Sequence, residues 1–208
     1  MSIDRLASTA SFATSNSPTF TGTVTMSGAT VIGAGMDLIT PTSVAGTGVT
    51  LSGGAVSFTT ATAVSVNGCF SATYNNYFCT YNMTSSTNNN LYARLRVSGT
   101  DSAASTYNLT CSGWTFSTGA AANIDYGSAT TVWVLVSQAT GIYTGGNISL
   151  FSPFSALPTQ MVGEASRSEL TARASGAFTA STSFDGFTIY PTAGTITGSL
   201  RVYGLRNS

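Results

Sequence analysis

Apolar and polar residues alternate in short segments over the second two thirds of the chain. Two segments, YFCTYNMT and LYARLRVS, each place alternate apolar residues on one face, namely Tyr77, Cys79, Tyr81 and Met83 in the first and Leu91, Ala93, Leu95 and Val97 in the second. A period of two is typical of a β-strand with one buried and one solvated face. The intervening SSTNNN consists of turn-forming residues, so the sequence predicts a strand–turn–strand hairpin.

Further segments rich in β-branched and aromatic residues follow this pair. They lie near residues 106–112, 131–137, 147–154, 170–178, 186–191 and 195–205. Gly, Asn, Asp and Ser separate them, and no convincing helical period occurs among them. About eight short strands in this arrangement predict an all-β fold, an antiparallel β-sandwich or jelly roll, over residues 66–208.

Residues 17–65 have a different texture, in which small polar residues alternate with single apolar ones and glycines interrupt the pattern. The regularly placed apolar residues are Phe20, Val24, Met26, Val49, Leu51, Val56 and Phe58. Burying such a side chain stabilises by about 1.5–3 kcal/mol, whereas ordering each backbone residue costs about 1–2 kcal/mol. We therefore expect these residues to form the core of a Gly/Thr/Ser-rich β-shaft that several chains build together. A flexible Gly/Ser/Thr linker is the alternative.

The charged residues exclude several classes of function. The chain of 208 residues has seven arginines, no lysine, seven acidic residues and no histidine, and only 7% of its residues are charged. Scattered arginines matched by acids form no basic stripe, so we expect no nucleic-acid partner. The longest apolar run, residues 132–136, is far shorter than the roughly 20 residues that cross a bilayer, so we expect no membrane insertion.

The same residues argue against catalysis. Without histidine and lysine the chain lacks the usual general base, the commonest zinc ligand and Schiff-base chemistry. We expect no enzyme activity, no cofactor and no metal site, with Glu164 and Glu169 as the one carboxylate pair that a glycosidase could use. The three cysteines have no paired spacing, so we interpret Cys69, Cys79 and Cys111 as small buried apolar residues.

Two phrases resemble virion surface proteins of tailed bacteriophages. Near the start, SPTFTGTVTMSG is similar to phrases that recur in the shafts of phage fibre and collar proteins, and the ending FDGFTIYPTAGTITGSLRVYGLRNS is similar to the C-terminal strands of small phage structural proteins. The resemblance implies a homotrimer on the virion surface, with residues 1–16 as the anchor to capsid or tail proteins, residues 17–65 as the trimeric shaft and residues 66–208 as the outer head. The short leader favours a short head fibre, capsid decoration or small tail fibre over a long tail fibre.

Alternation also predicts a surface of tyrosines and arginines. Tyr92, Arg94 and Arg96 face outward on one strand, and Arg201 and Tyr203 do so on the last strand. If these strands are neighbours, they form a face that contacts host surface polysaccharide, because sugars stack on aromatic rings and bind planar polar groups. The alternatives are that the arginines pair with acids or with another subunit. A capsid-stabilising decoration protein without receptor binding and a carbohydrate-binding module unrelated to phage are the alternative functions.

Overall fold

Two antiparallel β-sheets account for the regular structure of this chain in the computed structural model. The structure describes residues 35–206, and for residues 122 and 123 it describes the backbone alone. The larger sheet contains β1 (Met36–Ile39), β3 (Val49–Ser52), β4 (Ala55–Ala61), β6 (Asn76–Ser85), β9 (Tyr107–Thr115), β10 (Ala121–Thr130), β12 (Thr144–Phe151), β13 (Thr159–Arg167), β14 (Leu170–Phe178) and β16 (Ile196–Leu205). The smaller sheet contains β2 (Ser43–Ala45), β5 (Val64–Asn67), β7 (Asn89–Val97), β8 (Thr100–Asp101), β11 (Trp133–Gln138) and β15 (Gly186–Pro191).

The strand order places the two ends of the described chain side by side. The strand order of the large sheet is β10-β9-β14-β13-β12-β6-β16-β4-β3, and β1 pairs with the C-terminal half of β16. The strand order of the small sheet is β11-β7-β15-β5-β2, and β8 pairs with β7. The sequence-based prediction of an all-β, antiparallel sandwich is therefore confirmed. No helix among the described residues is long and apolar enough to cross a membrane.

One core lies between the two sheets. Edge-to-face aromatic rings fill its centre: Tyr107 lies 5.1 Å from Trp133 and 4.9 Å from Phe178, and Phe178 lies 4.9 Å from Phe184, centroid to centroid. Such contacts stabilise beyond the area that they bury. The Tyr107 hydroxyl accepts a hydrogen bond from the Leu95 backbone N–H at 3.0 Å, which ties a large-sheet strand to a small-sheet strand.

The predicted hairpin between β6 and β7 is wrong, although the predicted faces are right. Seven of the eight predicted inward residues are buried, and Val97, at the end of β7, is 42% exposed. The two strands belong to different sheets, so their apolar faces meet across the core instead of lying side by side. The SSTNNN segment spans the sheets, and the Asn89 side-chain amide fastens it by donating to Ser85 Oγ at 2.5 Å and to the Ala193 carbonyl at 3.1 Å.

The predicted boundary between shaft and head at residue 65 is also wrong. Val56 and Phe58 are 0% and 2% exposed and belong to the sandwich core, and Val49 and Leu51 pack against that core. β4 pairs with β16, so Leu200 of the same chain lies opposite Val56. The apolar wall that residues 49–58 lack locally thus comes from residues about 140 positions later. The anchor at residues 1–16 and the predicted shaft residues Phe20, Val24 and Met26 lie outside the described residues.

The three cysteines are free and buried, as the sequence predicted. Burial raises the pKa of the Cys79 and Cys111 thiols to about 12, and it raises the pKa of Cys69 as well. An ionised thiol has no partner in this apolar core, so these thiols remain neutral and unreactive while the sandwich is closed.

The position of Phe58 leads to a stability prediction. Phe58→Ala removes a buried aromatic ring and should lower the free energy of unfolding by about 3–5 kcal/mol. Ser57→Ala, the exposed neighbour on the same strand, should change it by less than about 0.5 kcal/mol. Urea unfolding followed by the fluorescence of buried Trp133 measures both values. Equal effects of the two substitutions would contradict the placement of Phe58 in the core.

The raised thiol pKa values lead to a pH prediction. An unfolded thiol ionises with a pKa of about 8.5. Cys79 and Cys111 ionise at about 12 in the fold. Their contribution to stability is therefore complete below about pH 8.5 and is lost as the pH rises toward 12. We expect the urea midpoint to fall steadily between about pH 8 and 11, and to fall less in the Cys79→Ala, Cys111→Ala double variant. A midpoint that is flat or rises over this range would rule out the effect.

Candidate functional site

A groove of about 650 Å³ opens on the outer face of the small sheet. Strands of both sheets contribute to its walls. The lining residues are Tyr92 and Arg94 of β7, Tyr190 and Pro191 of β15 with the following Thr192, Leu109 of β9, Asp125 and Thr130 of β10, and Thr131 and Val132 between β10 and β11. The sequence-predicted Tyr92 and Arg94 thus lie in the groove.

Strand register assembles the aromatic wall. Tyr92 and Tyr190 are direct partners on β7 and β15, on the face opposite to the core, and their rings meet edge to face at 5.8 Å. The Arg94 guanidinium carbon lies 5.3 Å from the Tyr190 ring centroid, and Arg94 Nε donates to the Thr131 carbonyl at 3.1 Å. A cation held over an aromatic face in this way is attracted to the ring and loses rotational freedom. The three side chains therefore form a preorganised surface.

Burial raises the pKa of the Tyr190 hydroxyl, and the nearby Arg94 guanidinium opposes this shift only in part. The phenol consequently stays neutral over the physiological range. A neutral phenol donates one hydrogen bond and accepts others, while its ring offers an apolar face.

Asp125 supplies an acceptor in the same groove. The register of β10 against β9 shifts between Asn123 and Asp125, and irregularities of this kind re-aim side chains at sheet edges. Within the described residues, ion pairs join Arg96 to Asp101, Arg173 to Glu164 and Arg206 to Asp37, so neither Asp125 nor Arg94 is in a described ion pair. The groove thus combines a carboxylate acceptor, a guanidinium donor and aromatic rings within one concave surface.

Arg96 is not part of this surface, contrary to the prediction that it faces solvent. It is 8% exposed, and its guanidinium ties four elements of the small-sheet region together. Nε donates to Asn67 Oδ1 at 2.9 Å, and Nη1 donates to Ser65 Oγ at 3.0 Å, to Thr188 Oγ1 at 2.7 Å and to Asp101 Oδ1. β8 pairs with β7 beside this position, so Asp101 lies directly opposite Arg96 on the same face of the sheet. The alternative that an outward arginine pairs with an acid is therefore confirmed for Arg96.

Arg201 and Tyr203 lie elsewhere on the molecule. Both are on β16, in the large sheet, whereas Tyr92, Arg94 and Arg96 are on β7 in the small sheet. The predicted condition that the two strands are neighbours is not met, because alternation fixes the face of a residue and not the sheet to which its strand belongs. The five residues do not form one surface.

Sequence reasoning missed Tyr190, Asp125 and the two threonines at positions 130 and 131. The pattern in GFTIYP could have identified Tyr190, because Phe187 and Ile189 face inward and Tyr190 alternates with them. Asp125 carries no such signal, since the shift in register that directs it depends on the pairing with β9.

The carboxylate pair considered for glycosidase chemistry lies on the β13–β14 hairpin and does not line the groove. Glu164, on the outer face of β13, accepts from Arg173 Nη2 at 2.5 Å, and Glu169 lies in the turn after β13. Among the described residues no group of three potential metal ligands comes together.

Comparison with known proteins adds no assignment. No protein-family model matches this chain, and no curated protein matches it.

The buried Arg96 network leads to a prediction that separates a structural from a binding role. Arg96→Ala leaves the Asp101 carboxylate without its cation in a mostly buried site, and removing one partner of a buried pair costs about 3–5 kcal/mol. Arg201→Ala removes an exposed arginine and should cost less than about 0.5 kcal/mol. Urea unfolding of both variants provides the measurement. A small loss for Arg96→Ala, matching that of Arg201→Ala, would show that the network does not hold the sheet.

Proposed function

We propose that this chain is a non-enzymatic structural protein of a phage virion, a short trimeric surface fibre whose β-sandwich binds host surface glycans in the Tyr92–Tyr190 groove. The observation that carries the binding proposal is the combination, in one groove, of two tyrosine rings with Arg94 and Asp125 outside the described ion pairs.

A glycan suits this groove better than other ligand classes do. A sugar ring presents C–H groups on its faces, which pack on aromatic rings, and hydroxyls at its edge, which bond to carboxylate, guanidinium and hydroxyl groups. Ligand sites of this kind pair an apolar floor with a few placed polar groups. A nucleic-acid backbone would need several cations, whereas the charged lining here consists of one arginine and one aspartate.

The virion part of the proposal is supported by the phage-like phrases and by the composition. A chain with zero net charge and few charged residues lacks the net charge that keeps free monomers soluble, and this favours a protein that works within an assembly. In this proposal residues 1–16 attach the fibre to capsid or tail proteins, and the sandwich points away from the particle. Three sandwiches per fibre and many fibres per particle raise weak single-site binding by factors of about 10² to 10⁴ where geometry permits.

A tyrosine substitution tests the groove. Tyr190→Ala removes the ring that packs against both Tyr92 and Arg94, so we expect binding to bacterial surface polysaccharide to weaken at least about tenfold, as for other central aromatic anchors. The measurement is the apparent dissociation constant of the purified full chain on immobilised polysaccharides extracted from candidate bacterial hosts.

Tyr143→Ala is the matched control, because Tyr143 is 61% exposed and lies outside the groove. The control should bind like the unchanged protein, and circular dichroism should show that both variants keep the β-sandwich. If Tyr190→Ala bound as tightly as the unchanged protein, the binding site would lie outside the groove. If the unchanged protein bound none of the polysaccharides, a decoration protein without receptor binding would be the better assignment.

A further inference from the structure

An exposed apolar stripe crosses the outer face of the large sheet near β1. Its members, called the apolar stripe below, are Met36, Leu38, Phe78, Phe151, Val162 and Tyr203. Register places them side by side or diagonally: Leu38 is opposite Tyr203, and Tyr203 is opposite Phe78. Phe151 is diagonal to Phe78, Val162 is diagonal to Phe151, and Met36 is one pleat from Leu38. Met36, Leu38, Phe151 and Val162 are 52%, 45%, 37% and 44% exposed.

The two cross-strand rows that contain the stripe are uncharged, and the next row on the same face carries Arg201, Glu164 and Arg173. The two rows are completed by Asn76, Asn108, Thr110, Tyr126, Ser149, Gln160, Ser175, Ala177 and Leu205. None of these side chains carries a charge. Contiguous exposed apolar surface marks an interaction site, and the two rows of the stripe bring no like charges together when identical copies meet there.

We propose that the apolar stripe packs against a second copy of this chain in the assembled protein. The chain enters the described domain at Met36, which is itself a member of the stripe, after a preceding stretch that reaches from residue 1 to residue 34. The sequence predicts a shaft shared between chains over residues 17–65, of which residues 17–34 lie outside the described structure. Copies joined through those residues would carry their β1 strands, and with them their stripes, close to one another.

The linkage makes even a modest apolar contact effective. Chains tethered through a short connection meet at an effective concentration in the millimolar range, at which a weak interface is populated. A contact at the stripe would remove several partly exposed apolar side chains per copy from water, and this burial stabilises the contact. This inference rests on the homotrimer of the proposed function and adds the surface through which the heads meet.

Thiol labelling of the full-length chain tests the stripe against a control on the same strand. Val162→Cys places a thiol in the stripe, and Ser166→Cys places one on the same face of β13, two pleats away and also exposed. The native cysteines are buried and do not compete for the reagent. We expect Val162→Cys to react with a maleimide at least about tenfold more slowly than Ser166→Cys, because labelling then requires the interface to open.

Light scattering of the same samples tests the trimer separately from the stripe. A trimer mass with slow labelling at position 162 supports the stripe as the interface. A trimer mass with equal labelling rates at both positions overturns the stripe and leaves the trimeric fibre standing. A monomer mass overturns both. Phe151→Cys, at the next strand of the stripe, repeats the comparison and should also label slowly.

Discussion

The pairing of β7 with β15 is the constraint on which both the core and the groove depend. Directly opposite residues share a face, so the register that sets Leu95 against Phe187 in the core also sets Tyr92 against Tyr190 in the groove. A slip of one residue would exchange the two faces. Arg96 fixes this register by binding Thr188 of β15, Ser65 of β5 and Asp101 of β8 at once. The buried Arg96 network, at the other end of the β7–β15 pair, therefore keeps the groove residues of these strands in register.

The first described strands complete both sheets, which explains why residues 36–65 are sparse in apolar side chains and still fold within one chain. β4 pairs with β16 and β5 pairs with β15, so the first described strands join their sheets through the C-terminal strands. The apolar residues of residues 17–65 alone predicted too small a core, because the strands that pair with β4 and β5 lie in the C-terminal part of the chain. Long-range pairing of this kind couples the stability of β4 to that of the C-terminal strand.

Alternation in the sequence predicted the all-β class, the buried faces of β6 and β7 and the outward direction of Tyr92 and Arg94, because each of these depends on the pleat alone. Sheet membership depends on which strands meet in space, and so the β6–β7 hairpin and the joining of Arg201 with Arg94 were wrong. The position of Asp125 depends on a shift in strand register, and the hydrogen bonds that hold Arg96 depend on the pairing of β7 with β8 and β15. Neither of these two features produces a periodic pattern in the sequence.

The claim that the outer face of the small sheet binds glycan is tested most directly by hydrogen–deuterium exchange of the full chain with and without a bound host polysaccharide. The account predicts slower exchange in residues 90–95, 124–132 and 188–192, which line or flank the groove, and unchanged exchange in β6, β12 and β13 of the large sheet, which do not line it. Protection confined to β6, β12 and β13, or none in the three groove segments while polysaccharide is bound, would contradict it.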